Sequence, residues 1–369
     1  MKRSALAAAL VCTAAGLAWQ LLTVHFNYGG NLTGLFCHGS EHPLPPSLAA
    51  EHIYVFPHSG GYDGQSYHYV AHDPWCRTDI CRAVPDPRWR YPRILVPGLA
   101  YLLALGRTEW IDRALIGVNL AFLFAGAYWL AQLIRRPMLA ALYVVLPSSI
   151  VSLDKMLVDL ALVSLCLGFA VYRKQEPRSQ WKLWLIFAAA ALCREAGFLL
   201  FGAWALEQFG QRRWARIALF ATALVPAALW SWHVGAGGYG TPIPLAGVID
   251  AIVRPRVYPF APAVNFTLRL LERVQLAGLL LSIGFGLAGA RRAFADPFAG
   301  IGLLWGILGL VTPPGAYDDP IAGARILGPL LLFQFLSGER WRRIPLLLAA
   351  PRVWTQLAGE AWGIVRGLT

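Results

Sequence analysis

The sequence predicts an all-α polytopic membrane protein, with about ten transmembrane helices plus a re-entrant or interfacial helix. Three observations carry this. Of the 369 residues, 57% are hydrophobic and 14% charged, with a mean hydropathy of +0.51; a soluble domain of this size does not need that much apolar surface. Uncharged runs approach or reach the roughly 20 residues that cross a bilayer. Between those runs Lys and Arg gather in pairs and clusters, the mark of cytoplasmic loops. The net charge of +12 is thus a matter of topology, and nucleic-acid binding is not the reading taken.

Lys2 and Arg3 precede an uncharged run over residues 4–24. The apolar core of a cleaved signal peptide covers only about 7–15 residues, so this run reads as an uncleaved first helix with its N-terminus inside. Residues 25–93 are a long polar first loop. Residues 94–106 are apolar but interrupted by Pro97 and Gly98; runs of about 10–14 residues are re-entrant or interfacial rather than spanning. Spans are expected over 111–134, 137–153, 156–172, 183–193, 196–209, 215–232, 271–290, 298–312 and 321–336. The basic clusters are then Lys2/Arg3, Arg135/Arg136, Arg173/Lys174/Arg178/Lys182, Arg212/Arg213/Arg216, Arg291/Arg292 and Arg340/Arg342/Arg343. All fall on the cytoplasmic side only if 94–106 does not cross. Residues 1–343 form a single membrane domain on this reading. Residues 344–369 form a tail whose Trp354 and Trp362 suggest an interfacial helix.

Cys12, Cys166 and Cys193 lie in apolar runs, as packing residues do. Cys37, Cys76 and Cys81 lie in the first loop. In an oxidising space a Cys76–Cys81 disulfide is expected, and a bridge involving Cys37 stays open.

The topology collects four polar stretches on the outer face. They are the first loop with Asp63, the Asp154–Lys155 turn, the Arg194–Glu195 turn, and residues 313–325 with Tyr317, Asp318, Asp319 and Arg325. Ionisable groups at membrane level are expensive and mark function. Gly60, Gly61 and Gly64 flank Tyr62 and Asp63, placing the carboxylate on a tight turn. From Gln65 the apolar residues Tyr67, Val70 and Ala71 recur at helical spacing until Pro74. An ordinary Asp-Gly surface turn is the plain alternative.

The pattern Tyr62-Asp63-Gly64-Gln65-x-Tyr67, in a long first outer loop, resembles bacterial integral membrane glycosyltransferases of the GT-C superfamily, which carry an acidic residue there. Asp154–Lys155 resembles their second outer acidic site and Arg194–Glu195 an Arg-Glu motif of the same subgroup. Asp318-Asp319-Pro320 followed by Arg325 resembles a late outer-face motif. The resemblance implies a GT-C-like fold in the bacterial inner membrane, with the site facing outward. It also implies a polyprenyl-phosphate-linked sugar as donor, a glycan, lipid or protein as acceptor, and inversion at the anomeric carbon.

In that chemistry a phosphate leaving group needs no general acid, but the acceptor hydroxyl needs a base, and Asp63 is the candidate. Arg194, Arg325 and Arg93 suit the phosphate. Asp154 orients a sugar hydroxyl or Lys155; Tyr62, Gln65 and Tyr67 stack on or hydrogen-bond a pyranose. Each role has a structural alternative. Arg194 and Glu195 could pair with each other, Asp319 could cap a helix, Asp159 could pair with Lys155 one turn away, and Arg93 could anchor to headgroups. No cofactor is expected. Two other functions have sequence signatures of their own. A metal-dependent hydrolase would use His68 and His72 at i,i+4 with Asp63 or Asp73, but Tyr69 follows His68, so the His-Glu-x-x-His pattern is absent; the two read as loop histidines at a wet interface. A lipid or glycan transporter would show repeats and midplane polar sites, which this sequence lacks.

Overall fold

The computed structural model describes all residues except Met1, 238–242, Pro255, Val257 and Pro320, and describes Asp318 by its backbone alone. The described chain is nearly all helical. Its one sheet is a parallel pair of two-residue strands, His38–Gly39 beside Val55–Phe56. Contacts divide the chain into two compact units. The first is Met1–Phe198, Ala223–Gly237 and Gly359–Thr369; the second is Leu199–Thr222 and Gly238–Ala358.

Four described helices are long and apolar enough to cross a membrane: Lys2–Asn27, Thr108–Leu133, Trp214–His233 and Pro262–Ala288. Pro137–Val145 and Pro147–Asp154, bent by 52°, make a fifth if taken as one broken span. The break has a local cause. Leu146 precedes Pro147 and takes the extended conformation, ψ 142°, that a proline imposes on its predecessor. Gln180–Cys193 and Pro297–Val311 are apolar but shorter. The first helix turns Leu6, Leu10, Val11, Leu17 and Leu21 outward, an apolar face that lipid would solvate. Its inner side seats Leu123 and Leu153 against Gly16. There Gln20 donates to the Leu153 carbonyl at 2.9 Å and the Trp19 indole donates to Asp154 at 3.0 Å.

The first loop is folded. Leu48, Tyr69, Val70, Ile80, Val84 and Tyr91 make a small core of their own. The Asp63–His72 helix ends where Pro74 would remove a donor. Beyond it the buried Asp73 carboxylate accepts from the N–H groups of Arg77 and Thr78 and from the Thr78 hydroxyl. Cys76 and Cys81 are disulfide-bonded, and Cys37 is a free, buried thiol. Residues 94–106 contain the Leu95–Leu103 helix of nine residues, about 14 Å long and half of a bilayer core.

The C-terminal tail is helical over Ile344–Thr355, with Pro351 inside the helix, and over Ala358–Leu368. The last helix lies on the end of the first. Asn27 donates to the Glu360 carbonyl at 3.1 Å, and Gly363 and Gly367 leave no room for a side chain against Asn27 and Phe26. Peptide mapping without reduction is expected to recover Cys76 joined to Cys81. Cys37 should alkylate only after unfolding, because its sulfur is buried.

Candidate functional site

The site is built on the Asp63–His72 helix. Gly61, at φ +74°, turns the chain into it, and the Tyr62 N–H donates to the Cys37 carbonyl at 2.9 Å. Asp63 is the first helical residue, where the positive end of the helix favours a carboxylate. Gly64 is not the turn residue that the sequence suggests. It lies inside the helix, and what it supplies is space: a Cβ there would overlap the Lys155 carbonyl oxygen and crowd that of Phe36. The helix start and the Asp154–Lys155 turn therefore touch through their backbones. Gln65 is only 4% exposed. Its amide donates to the Gly60 carbonyl at 3.0 Å and accepts from the Gly39 N–H at 3.3 Å, so it braces the loop and is not presented to a sugar.

Around this contact runs a network of charges. Arg90, which the sequence reading passed over, donates to Asp63 Oδ1 at 2.7 Å. Arg93 donates to both Glu195 oxygens, at 3.0 and 3.2 Å, and to the Tyr67 hydroxyl at 2.9 Å. At 3% exposure it cannot be a headgroup anchor. Arg194 pairs with Asp159, a partner 35 positions away and not its sequence neighbour Glu195. Asp154 is fully buried. It receives Lys155 Nζ at 3.0 Å, and Lys155 also reaches Glu360 at 3.3 Å; Glu360 comes from a tail to which no site role had been given. Burial opposes the charge on Lys155, but Asp154, the Cys37 thiol and Glu360 outweigh it and raise its pKa well above the lysine norm. Burial likewise opposes Arg90, and Tyr67 and Asp63 reverse that. The cluster reaches solvent at Asp63 and Glu195, whose side chains are 20% and 30% exposed.

Asp319 and Arg325 belong to the second unit. Asp319 accepts from the Ile321 N–H at 2.8 Å, a local bond to the backbone two residues on; the N-cap of the Ala322–Ile326 helix is Ile321. Arg325 is buried on the Ala322–Ile326 helix. The rest of the late motif, Pro320 and the Asp318 side chain, lies outside the described residues. A cleft lined by Arg254, Arg256, Arg269, Arg273, Glu272 and Asp319 was not anticipated. Its four arginines against two carboxylates suit an anion, and their closeness in sequence was the available signal.

The histidines stand apart from the Asp63 network. The His68 and His72 side chains are 0% and 1% exposed, and Glu51 and Asp112 converge on them. His68 Nε2 lies 2.7 Å from Asp112 Oδ1 and 3.1 Å from His72 Nε2. Glu51 Oε2 lies 3.4 Å from His72 Nε2 and 4.0 Å from His68 Nε2. Neither Asp63 nor Asp73 takes part: the first is held by Arg90 and the second by the Arg77–Thr78 backbone. Burial, then His68, presses His72 down to about 2, and burial raises Glu51 to about 7.

Comparison with protein-family models, curated proteins and solved structures finds no match. The Gly64 contact makes a stability test. Gly64→Ala is expected to cost about 1–3 kcal/mol, as overpacking does, read as a lowered Tm. Gly117→Ala, where a Cβ meets nothing within 4 Å, should leave Tm unchanged or raise it.

Proposed function

We propose that the protein is a membrane glycosyltransferase of the GT-C type. It moves a sugar from a polyprenyl-phosphate donor to an extracytoplasmic glycan, lipid or protein acceptor, with inversion. One observation supports this above others. Three polar stretches distant in sequence come together: the Gly64 backbone of Tyr62–Tyr67 lies against Lys155 of Asp154–Lys155, and Arg93 bridges Tyr67 to Glu195 of Arg194–Glu195. Unrelated surface turns have no physical reason to converge at that cost in buried charge.

In the reaction the acceptor oxygen forms its bond to the anomeric carbon as the bond to phosphate breaks. The phosphate leaves with the electron pair, and Asp63 takes the hydroxyl proton. Arg90 aims the Asp63 carboxylate. Arg93 and Arg194, each occupied by a carboxylate, act as positioning residues for Tyr67 and the 194–195 turn. The arginine-lined cleft of the second unit supports an anionic, phosphate-bearing ligand. On this reading the chain crosses the bacterial inner membrane about ten times, with the cluster at the outer face.

Incubation of the purified protein with a panel of polyprenyl-phosphate sugars should consume one of them. Asp63→Asn keeps the shape and the helix start. It is expected to fold with a lowered Tm, because Arg90 loses its counter-charge, and to bind donor, yet lose turnover by a factor on the order of 10²–10⁴; wild-type turnover in this variant would remove Asp63 from the chemistry. For topology, cysteines placed at the exposed positions Ala50 and Arg178 should label from outside and only after the cells are opened, respectively. The reverse pattern would sink the orientation.

A further inference from the structure

We propose that Glu51, His68, His72 and Asp112 form a closed, four-ligand site for a divalent metal of the zinc class, which clips the folded first loop to the membrane-length helix behind it. The four ligand atoms lie within 4.8 Å of one another. They come from three segments: the 3₁₀ turn Pro46–Glu51, the Asp63–His72 helix and the start of Thr108–Leu133. His68 and His72 project from one face because they are one turn apart. A tetrahedral zinc ion with bonds of about 2.0–2.1 Å sets its ligand atoms about 3.3–3.4 Å apart. The recorded separations of 2.7, 3.1, 3.4 and 4.0 Å bracket that value.

Hydrogen bonding alone does not satisfy this arrangement. His68 Nε2 carries either one proton or one lone pair, yet it faces Asp112, His72 and Glu51 at once. If it donates to Asp112, a second acceptor nitrogen or N–H faces it from His72. Glu51 Oε2 is buried and accepts no hydrogen bond among the described residues, although buried carboxylate oxygens are rarely left so. A cation at the centre accepts all four lone pairs together. The far side of the ring agrees: His68 Nδ1 lies 3.0 Å from His38 Nε2. A proton on Nδ1 donated to His38 leaves Nε2 free to ligate, the outer-shell arrangement usual for metal-bound histidine. Phe36 stacks on the same ring with centroids 4.2 Å apart and fixes its plane.

Two imidazoles and two carboxylates suit zinc-like ions rather than magnesium or calcium, which take oxygen ligands. All four positions are filled by protein, so the site is structural and offers no open position for a hydrolytic water. Its ligand His68 lies on the same short helix as Asp63, so the ion would also fix the helix that carries the proposed base.

Protein purified in detergent without chelator should contain about one zinc per chain by atomic emission. The metal-stripped form should take up cobalt(II) with the strong visible absorption of a tetrahedral site. The double variant His68→Gln/His72→Gln should lower occupancy at least about tenfold. Asp63→Asn should keep full occupancy, so metal content and turnover are read separately. Chelation should lower the Tm of the wild type and not that of the double variant. The proposal is overturned if the wild type takes up neither zinc nor cobalt, if the double variant holds metal as the wild type does, or if complete metal removal leaves the wild-type Tm unchanged.

Discussion

The backbone contact between Gly64 and the Lys155 carbonyl is the constraint on which the first unit depends. Only a residue without a Cβ lets the Asp63–His72 helix approach that closely. The approach sets Asp63 beside a turn whose own residues, Asp154 and Lys155, are buried and must be paired where they stand. Trp19 and Gln20 hold that turn from the first helix, and Glu360 reaches Lys155 from the last. Segments from both ends of the chain are thus committed to one junction.

Charge in such a place is tolerated only in balance. Taking an ion out of water costs several kcal/mol even after relaxation, and removing one partner leaves the other stranded. The pairing in the first unit follows that rule: Asp63 with Arg90, Glu195 with Arg93, Asp159 with Arg194, and Lys155 with Asp154 and Glu360. Arg93 does more than neutralise, since its fork also holds the Tyr67 hydroxyl. This couples the aromatic face of the helix to the 194–195 turn. The network keeps its residues in one geometry, which positioned chemistry requires.

The histidine cluster and the arginine-lined cleft show two other answers to the same problem. Where carboxylates and imidazoles converge without a guanidinium, as at Glu51, His68, His72 and Asp112, the balance calls for a cation. Where Arg254, Arg256, Arg269 and Arg273 outnumber Glu272 and Asp319, it calls for an anion.

What the sequence by itself determined is what local chain chemistry controls. Apolar runs made the protein helical and membrane-like, though among the described residues, with breaks such as Leu146–Pro147, four or five helices are of spanning length where hydropathy runs suggested about ten. The helix before Pro74 was legible from periodicity from Gln65 on, and the structure begins it two residues earlier, at Asp63. The Cys76–Cys81 bridge was legible, as the preferred pairing, from closeness in sequence. Tertiary structure alone decided the partners. Arg90 meets Asp63 across 27 positions and Glu360 meets Lys155 across 205. Gln65 turned inward to brace Gly60, and two histidines read as wet loop residues have their side chains enclosed beside Glu51 and Asp112. A charged residue's identity says that it needs a partner, not which one. That choice is made by where packing brings backbones together, and neither spacing nor composition encodes the distance between segments that meet only in the fold.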